Sequence, residues 1–276
     1  MLSSDYFRFM TTTFAHTFLD MLRRRRNQMI GGIVALPAFI PLLLLVLPTG
    51  EDFDSGDTFV FTQMAEIFYI RAVTPLLALF FGAMLIGEDI ESQTIPYILS
   101  RPIPRSAWIW GRFLAYWAVC SLLMLLALTV TFVSCSILEI SFPSLDSLLL
   151  LLHYEGAAVM SLLGYGAICM LLGAIVRRPI IVGILLIFLW QRLAMFAPGV
   201  TDFLTIEKYV IALLPGGGSS VISLLEANAF EVIKTGLPIS APAAVVALIV
   251  IAALCVAGTT QAVLNKEYTT PTAVTE

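Results

Sequence analysis

Apolar residues gather into six long runs separated by short polar breaks. A helix rises 1.5 Å per residue, so about 20 mostly apolar residues cross a bilayer core of about 30 Å. The runs fall at Met29–Leu47, Ile67–Ile86, Gly111–Val133, Leu148–Val176, Ile180–Ala197 and Pro242–Leu264. They predict an all-α polytopic membrane protein with six transmembrane helices, read as one transmembrane domain over residues 1–276.

Ahead of the first run the pattern changes period. Phe7, Met10, Phe14, Phe18 and Met21 recur at spacings of three and four, while Thr11, Thr12, His16 and Asp20 fall elsewhere. Arg23 to Arg26 close the segment. That spacing predicts an amphipathic helix over residues 4–26 lying in the membrane interface; a short soluble cap helix is the alternative. Between the first two runs, Glu51 to Asp57 form an acidic turn. The longer connection over 199–241 carries two apolar pieces, Val210–Leu214 and Val221–Ile233, too short to span. They predict short extracellular, interfacial or re-entrant helices. Residues 269–276 read as a loose tail.

Basic residues set the orientation. Arg8, Arg23 to Arg26, Arg101, Arg105, Arg112, Arg177, Arg178 and Lys266 flank one side of the six runs, eleven of the fifteen Lys and Arg. The other side and the runs themselves hold Arg71, Arg192, Lys208 and Lys234. The positive-inside rule puts both termini in the cytoplasm. Trp108, Trp110 and Trp117 near the start of the third run are expected in an interfacial aromatic belt.

Composition agrees with this reading. Hydrophobic residues make up 59% of the 276 residues, charged residues 12%, and mean hydropathy is +0.95. A soluble domain carries about 25% charge. The spans leave no segment for a sizeable soluble core. The net charge of −4 says little, because the charge is so unevenly placed. Cys120, Cys135, Cys169 and Cys255 lack any metal or disulfide spacing and read as small apolar-compatible residues. The ten methionines read as packing.

One loop is richer than a connector needs. From Gly87 to Arg105 the chain reads Gly-Glu-Asp-Ile-Glu-Ser-Gln-Thr-Ile-Pro-Tyr-Ile-Leu-Ser-Arg-Pro-Ile-Pro-Arg. Glu88, Asp89 and Glu91 sit where the second span emerges. Thr94 to Leu99 form a short apolar patch that water disfavours. Pro102 and Pro104 interrupt any helix. A short apolar helix between two long spans is a lever for a docked partner; a helix simply lying on the surface is the alternative.

These residues carry a family resemblance. Glu88, Thr94, Ile95, Tyr97, Ile98, Leu99, Ser100, Pro102, Ile103 and Arg105, followed by Gly111, Arg112, Phe113, Leu114 and Ala115, resemble the motif of type-2 permeases of ABC transporters. The likeness is greatest to the branch named for multicopper-enzyme maturation. Gln93 stands where the family usually has Gly, and Arg112 where it has Lys. The resemblance implies that the 87–105 loop holds a coupling helix seated on an ATPase subunit. Its contacts would come from Glu88, Asp89, Glu91, Thr94, Ile95, Tyr97, Ile98, Leu99, Arg101 and Arg105. It further implies two permeases with two ATPases, export across the bacterial cytoplasmic (inner) membrane, and helices in the 199–241 segment that close the outer mouth. ATP and Mg are expected on the partner subunit, and no cofactor on this chain, which has no G-x-x-x-x-G-K-[ST]. Membrane lipid is the other expected partner; nucleic acid is not one.

Charged residues near the spans are the remaining candidates, since each costs about 2.5–3.5 kcal/mol at a helix centre. Along an ideal helix Arg71 lies about 26 Å from Glu88, Glu155 about 33 Å from Arg177, and Arg192 about 21 Å from Arg178. All three therefore belong to the outer half. They are candidate substrate or gate residues, with snorkelling or mutual pairing as the plainer alternative; Glu66 and His153 lie nearby in the sequence pattern. Small residues at Ala78 and Gly82, at Gly166 and Gly173, and at Ala253 and Ala257 permit close helix contacts without fixing a dimer face. Two other function classes stay open at this point. One is an ATP-independent secondary transporter, which would bury ionisable residues near the midplane. The other is an intramembrane enzyme, for which H-E-x-x-H and paired carboxylates are lacking.

Overall fold

A computed structural model describes residues 2–40, 59–91, 104–138, 144–176, 178–190, 205–215 and 239–265. Every element among them is helical. We number them α1 (Leu2–Arg23), α2 (Arg25–Ala35, prolonged by a tight turn at Leu36–Ala38), α3 (residues 59–91), α4 (Arg105–Leu138), α5 (Leu145–Ile175), α6 (Pro179–Ile184, prolonged over Leu185–Trp190), α7 (Ile206–Ile211) and α8 (Ala241–Asn265). Four are long and apolar enough to cross a membrane: the second, third, fourth and sixth spans expected from the sequence, within α3, α4, α5 and α8. The first and fifth spans are described only in their opening parts, as α2 and α6; the rest of each lies outside the described residues.

The helix expected over residues 4–26 ends at Arg23, just past the last residue of its apolar stripe. Arg24 is extended, with φ −65° and ψ 123°, and separates α1 from α2. The exposed helix end is closed by side chains: Asn27 Nδ2 donates to the Met21 carbonyl at 2.9 Å, and Gln28 Nε2 to the Leu22 carbonyl at 3.2 Å. Such partners satisfy carbonyls that a helix terminus leaves open. α1 lies across the start of α4. A Cβ added at Gly111 would stand 2.7 Å from the Met10 carbonyl oxygen, so only glycine lets the two backbones approach this closely. The buried side of α1 matches the expected stripe at Met10, Phe14, Phe18 and Met21, but Phe7 is exposed.

α5 is the centre of the bundle. Ser144 caps its start by accepting from the Ser147 amide, with Asp146 in the first turn. Against it pack α3, α4 and α8, and small residues set the distances. A Cβ at Gly173 would stand 2.5 Å from the Ala83 carbonyl oxygen, and one at Gly82 2.9 Å from the Cβ of Cys169. Gly166 faces the ring of Tyr116. These small residues thus serve packing within one chain. Several buried polar side chains find partners, which a bilayer cannot supply, on neighbouring helices or on their own backbone. Thr131 Oγ1 donates to the Ala127 carbonyl, which leaves Tyr69 as the donor in its 2.7 Å bond to Thr131. Trp117 donates from Nε1 to the Val159 carbonyl at 3.0 Å, and Trp108 is buried. Trp108 is thus packed within the protein and Trp117 is half-buried against α5.

Candidate functional site

Two ionic clusters lie apart along α3, one at its C-terminal end and one in its first half. The first gathers the end of α3, the break between α1 and α2, and the start of α4. Glu88 accepts from Arg24 at 2.8 Å through one carboxylate oxygen and from Arg26 through the other. Arg24 also pairs with Asp20 at 2.8 Å, one turn earlier. The hydrogen bond to Asp20 is the main reason its guanidinium is held above the ordinary arginine value, with the charges of Asp20 and Glu88 adding and partial burial opposing. Next along α3, Asp89 pairs with Arg112, whose guanidinium also lies 5.0 Å over the Trp108 ring.

The location of this cluster follows from the helices. Residues 88 and 89 lie near the end of one long span, Arg112 lies two turns into the next, and Arg24 and Arg26 stand at the break before the first run. The two stems of the 92–103 stretch are thus each held by ion pairs. Of the residues expected to contact a partner, Glu88 and Asp89 are placed here. Arg105 is the first residue of α4 and is half-buried. Glu91 ends α3. Thr94, Ile95, Tyr97, Ile98, Leu99 and Arg101 lie outside the described residues.

The second cluster joins α3 to α7. Arg71 donates to Glu66 on its own helix at 3.3 Å and to Glu207 on α7 at 3.4 Å. The side chain of Glu66 is fully buried and that of Arg71 is 10% exposed. Residues 64–73 form a wide helix whose hydrogen bonds run from i to i+5. Thr74 closes it, its amide and its hydroxyl both directed at the Tyr69 carbonyl five residues earlier. Pro75 follows and has no amide hydrogen to give, which favours the irregular turn. Beside the pair lies a cavity of about 60 Å³ whose lining includes Tyr165, Ile187, Phe188, Val210 and Leu214.

The remaining candidates are separate from both clusters. Glu155 accepts from Thr129 at 3.1 Å on the α4–α5 surface and does not meet Arg71. Arg192 lies outside the described residues. His153 is exposed, and its Nδ1 is 2.7 Å from the Leu149 carbonyl one turn back. Sequence reasoning did not foresee Glu207 as the partner of Arg71, nor Arg24 and Arg26 as partners of Glu88. The available signal was a shared membrane level: Arg24 and Arg26 precede the first span and Glu88 ends the second.

A comparison with protein families decides what these clusters belong to. The model of the ABC-2 family transporter proteins matches residues 7–257. The chain belongs to the ABC-2 family. Among curated proteins, none matches it. As an ABC-2 protein it is a multi-pass membrane permease subunit of an ABC transporter, a class that works with an ABC ATPase. The matched stretch contains both ionic clusters and the whole 87–105 loop.

Proposed function

We propose that this ABC-2 permease exports its cargo across the bacterial inner membrane, driven by a separate ATPase subunit seated on the 87–105 loop. The observation that carries the reading is the pinning of both loop stems: Glu88 to Arg24 and Arg26, and Asp89 to Arg112. A push on residues 92–103 then reaches three helices at once, because the stems are tied to each other and to the α1–α2 break. Glu88 and Asp89 act as positioning residues; Tyr97 and Ile98 fill the ATPase groove. Nucleotide binding, with Mg, takes place on the partner and shifts the balance between two permease conformations through this contact.

In this reading two permeases assemble with two ATPases, both termini lie in the cytoplasm, and the Arg71–Glu207 pair holds the outer segment closed. The experiment is purification of the tagged permease from its native membrane. An ATPase subunit retained at one-to-one stoichiometry, with ATP hydrolysis in the complex, is the expected result. A stable permease that transports without any ATPase attached contradicts the reading and favours a secondary transporter.

A further inference from the structure

All four consecutive arginines are exposed, but Arg24 and Arg26 are paired with Glu88, while Arg23 and Arg25 make no ion pair among the described residues. The division follows from helix geometry. Residues four apart share a helical face. Arg26 heads the row that continues through half-buried Ile30 to buried Val34, and its half-exposed side chain turns along the protein surface to Glu88. Arg25 heads the row that continues through Met29 and Ile33 to Leu36, which are 70%, 62% and 59% exposed. That row is the outward face of the first span. On the other side of the break, Arg23 follows Leu19 by one turn on α1, and Leu19 and Leu22 are exposed too.

Arg23 and Arg25 therefore cap apolar stripes that meet acyl chains. A guanidinium one turn above such a stripe sits at headgroup level, where its donors match a phosphodiester oxygen pair. We propose that Arg23 and Arg25 form a binding site for the phosphate of an anionic phospholipid, which seats the α1–α2 break in the membrane. The continuity of Arg25 with the outward face of a span selects lipid as the occupant over the ATPase, which would be met by a water-facing surface. The site depends on membrane placement of α2 and not on the ATPase reading. The two arms of the cluster then have different tasks: Arg24 and Arg26 hold Glu88, and Arg23 and Arg25 hold the bilayer.

The test is the lipid retained by the transporter, purified with whatever subunits it keeps, from mixed phosphatidylglycerol and phosphatidylcholine membranes. Wild type should retain phosphatidylglycerol above its bulk share. The R23Q/R25Q variant should lose that enrichment by roughly five- to thirtyfold, from the usual worth of one or two arginines at an anionic surface. R23K/R25K, which keeps the charge, should retain most of it. R177Q/R178Q, which removes the same charge from another loop, should match wild type. Washing with glycerol 3-phosphate should leave the bound lipid in place; displacement would mean a free-phosphate site and overturn the proposal. Equal losses in R23Q/R25Q and R177Q/R178Q, or loss of an ATPase subunit from R23Q/R25Q with its lipid unchanged, would overturn it also. Lipid content is read whether or not an ATPase is present, so failure here and failure of the ATPase reading are distinguishable.

Discussion

Glu66 and Arg71 lie five residues apart on one helix and still meet at 3.3 Å. In a regular α-helix, facing neighbours are three or four apart. The wide i-to-i+5 turn over residues 64–73 removes that restriction and brings the two onto one face. The same turn leaves Arg71 able to reach Glu207, 136 residues later. A local irregularity thus connects the second span to the segment after the fifth.

The pair makes a stability prediction. Replacing Arg71 with Met leaves the fully buried Glu66 carboxylate without its cation, a change that costs about 3–5 kcal/mol. Arg71→Met should therefore lower the thermal midpoint of the detergent-solubilised protein sharply. Adding Glu66→Gln to it should restore most of the loss, since the buried charge is then gone. A double variant no more stable than the single would show that the pair does not carry the effect.

Glycines at helix crossings give a second prediction. At Gly173 a new Cβ meets backbone, the Ala83 carbonyl oxygen, which cannot rotate away. Gly173→Ala should destabilise by about 1–3 kcal/mol. At Gly156 a new Cβ meets no atom within 4 Å. Gly156→Ala should be stabilising by about 0.5–1 kcal/mol, the helix cost of glycine. Thermal unfolding of the two variants beside wild type checks both signs. Because the Gly173 contact is internal, Gly173→Ala should leave the number of permeases per complex unchanged.

The membrane bundle was legible because span length is a strict physical demand. Runs such as Pro242–Leu264 have few other readings, and α8 covers residues 241–265. The α1 stripe was legible for the same reason, through its three-and-four spacing. What escaped was pairing at a distance. Nothing local to Glu88 names Arg24 and Arg26, 64 and 62 residues away. Glu207 is a single carboxylate in a mixed segment, and only the fold brings it to Arg71. The break at Arg24 was hidden too, because arginine is a good helix former; the side chains of Asn27 and Gln28 are what close the helix there. The bond from Trp117 to the Val159 carbonyl escaped as well, because an amphipathic ring suits an interface and a carbonyl partner alike.

The contacts also group the chain ends. Gly87 faces Pro179, Glu88 faces Arg24, Asp89 faces Arg112, and Gly258 faces Leu171, which places the α1–α2 break, the end of α3, the first turns of α4, the start of α6 and the last part of α8 near one another. By the positive-inside rule the basic excess predicts that this end is cytoplasmic. Single cysteines at Ser55 and Ser219 should react with an impermeant thiol reagent added outside intact cells, in a background lacking the native cysteines. A cysteine at Ser3 should not. Reaction at Ser3 in sealed cells would reverse the orientation.

The proposal that residues 87–105 carry the ATPase contact is tested most directly by pull-down with two membrane-inserted variants, Tyr97→Ala and Arg192→Ala. Truncating a buried aromatic anchor costs about 2 kcal/mol or more, a roughly thirtyfold loss of docking. Tyr97→Ala should lose the ATPase subunit on purification, while Arg192→Ala, which the sequence pattern puts in the outer half of the fifth run, should retain it at the wild-type level. Equal recovery of the ATPase with both variants would contradict the placement of the docking site in this loop.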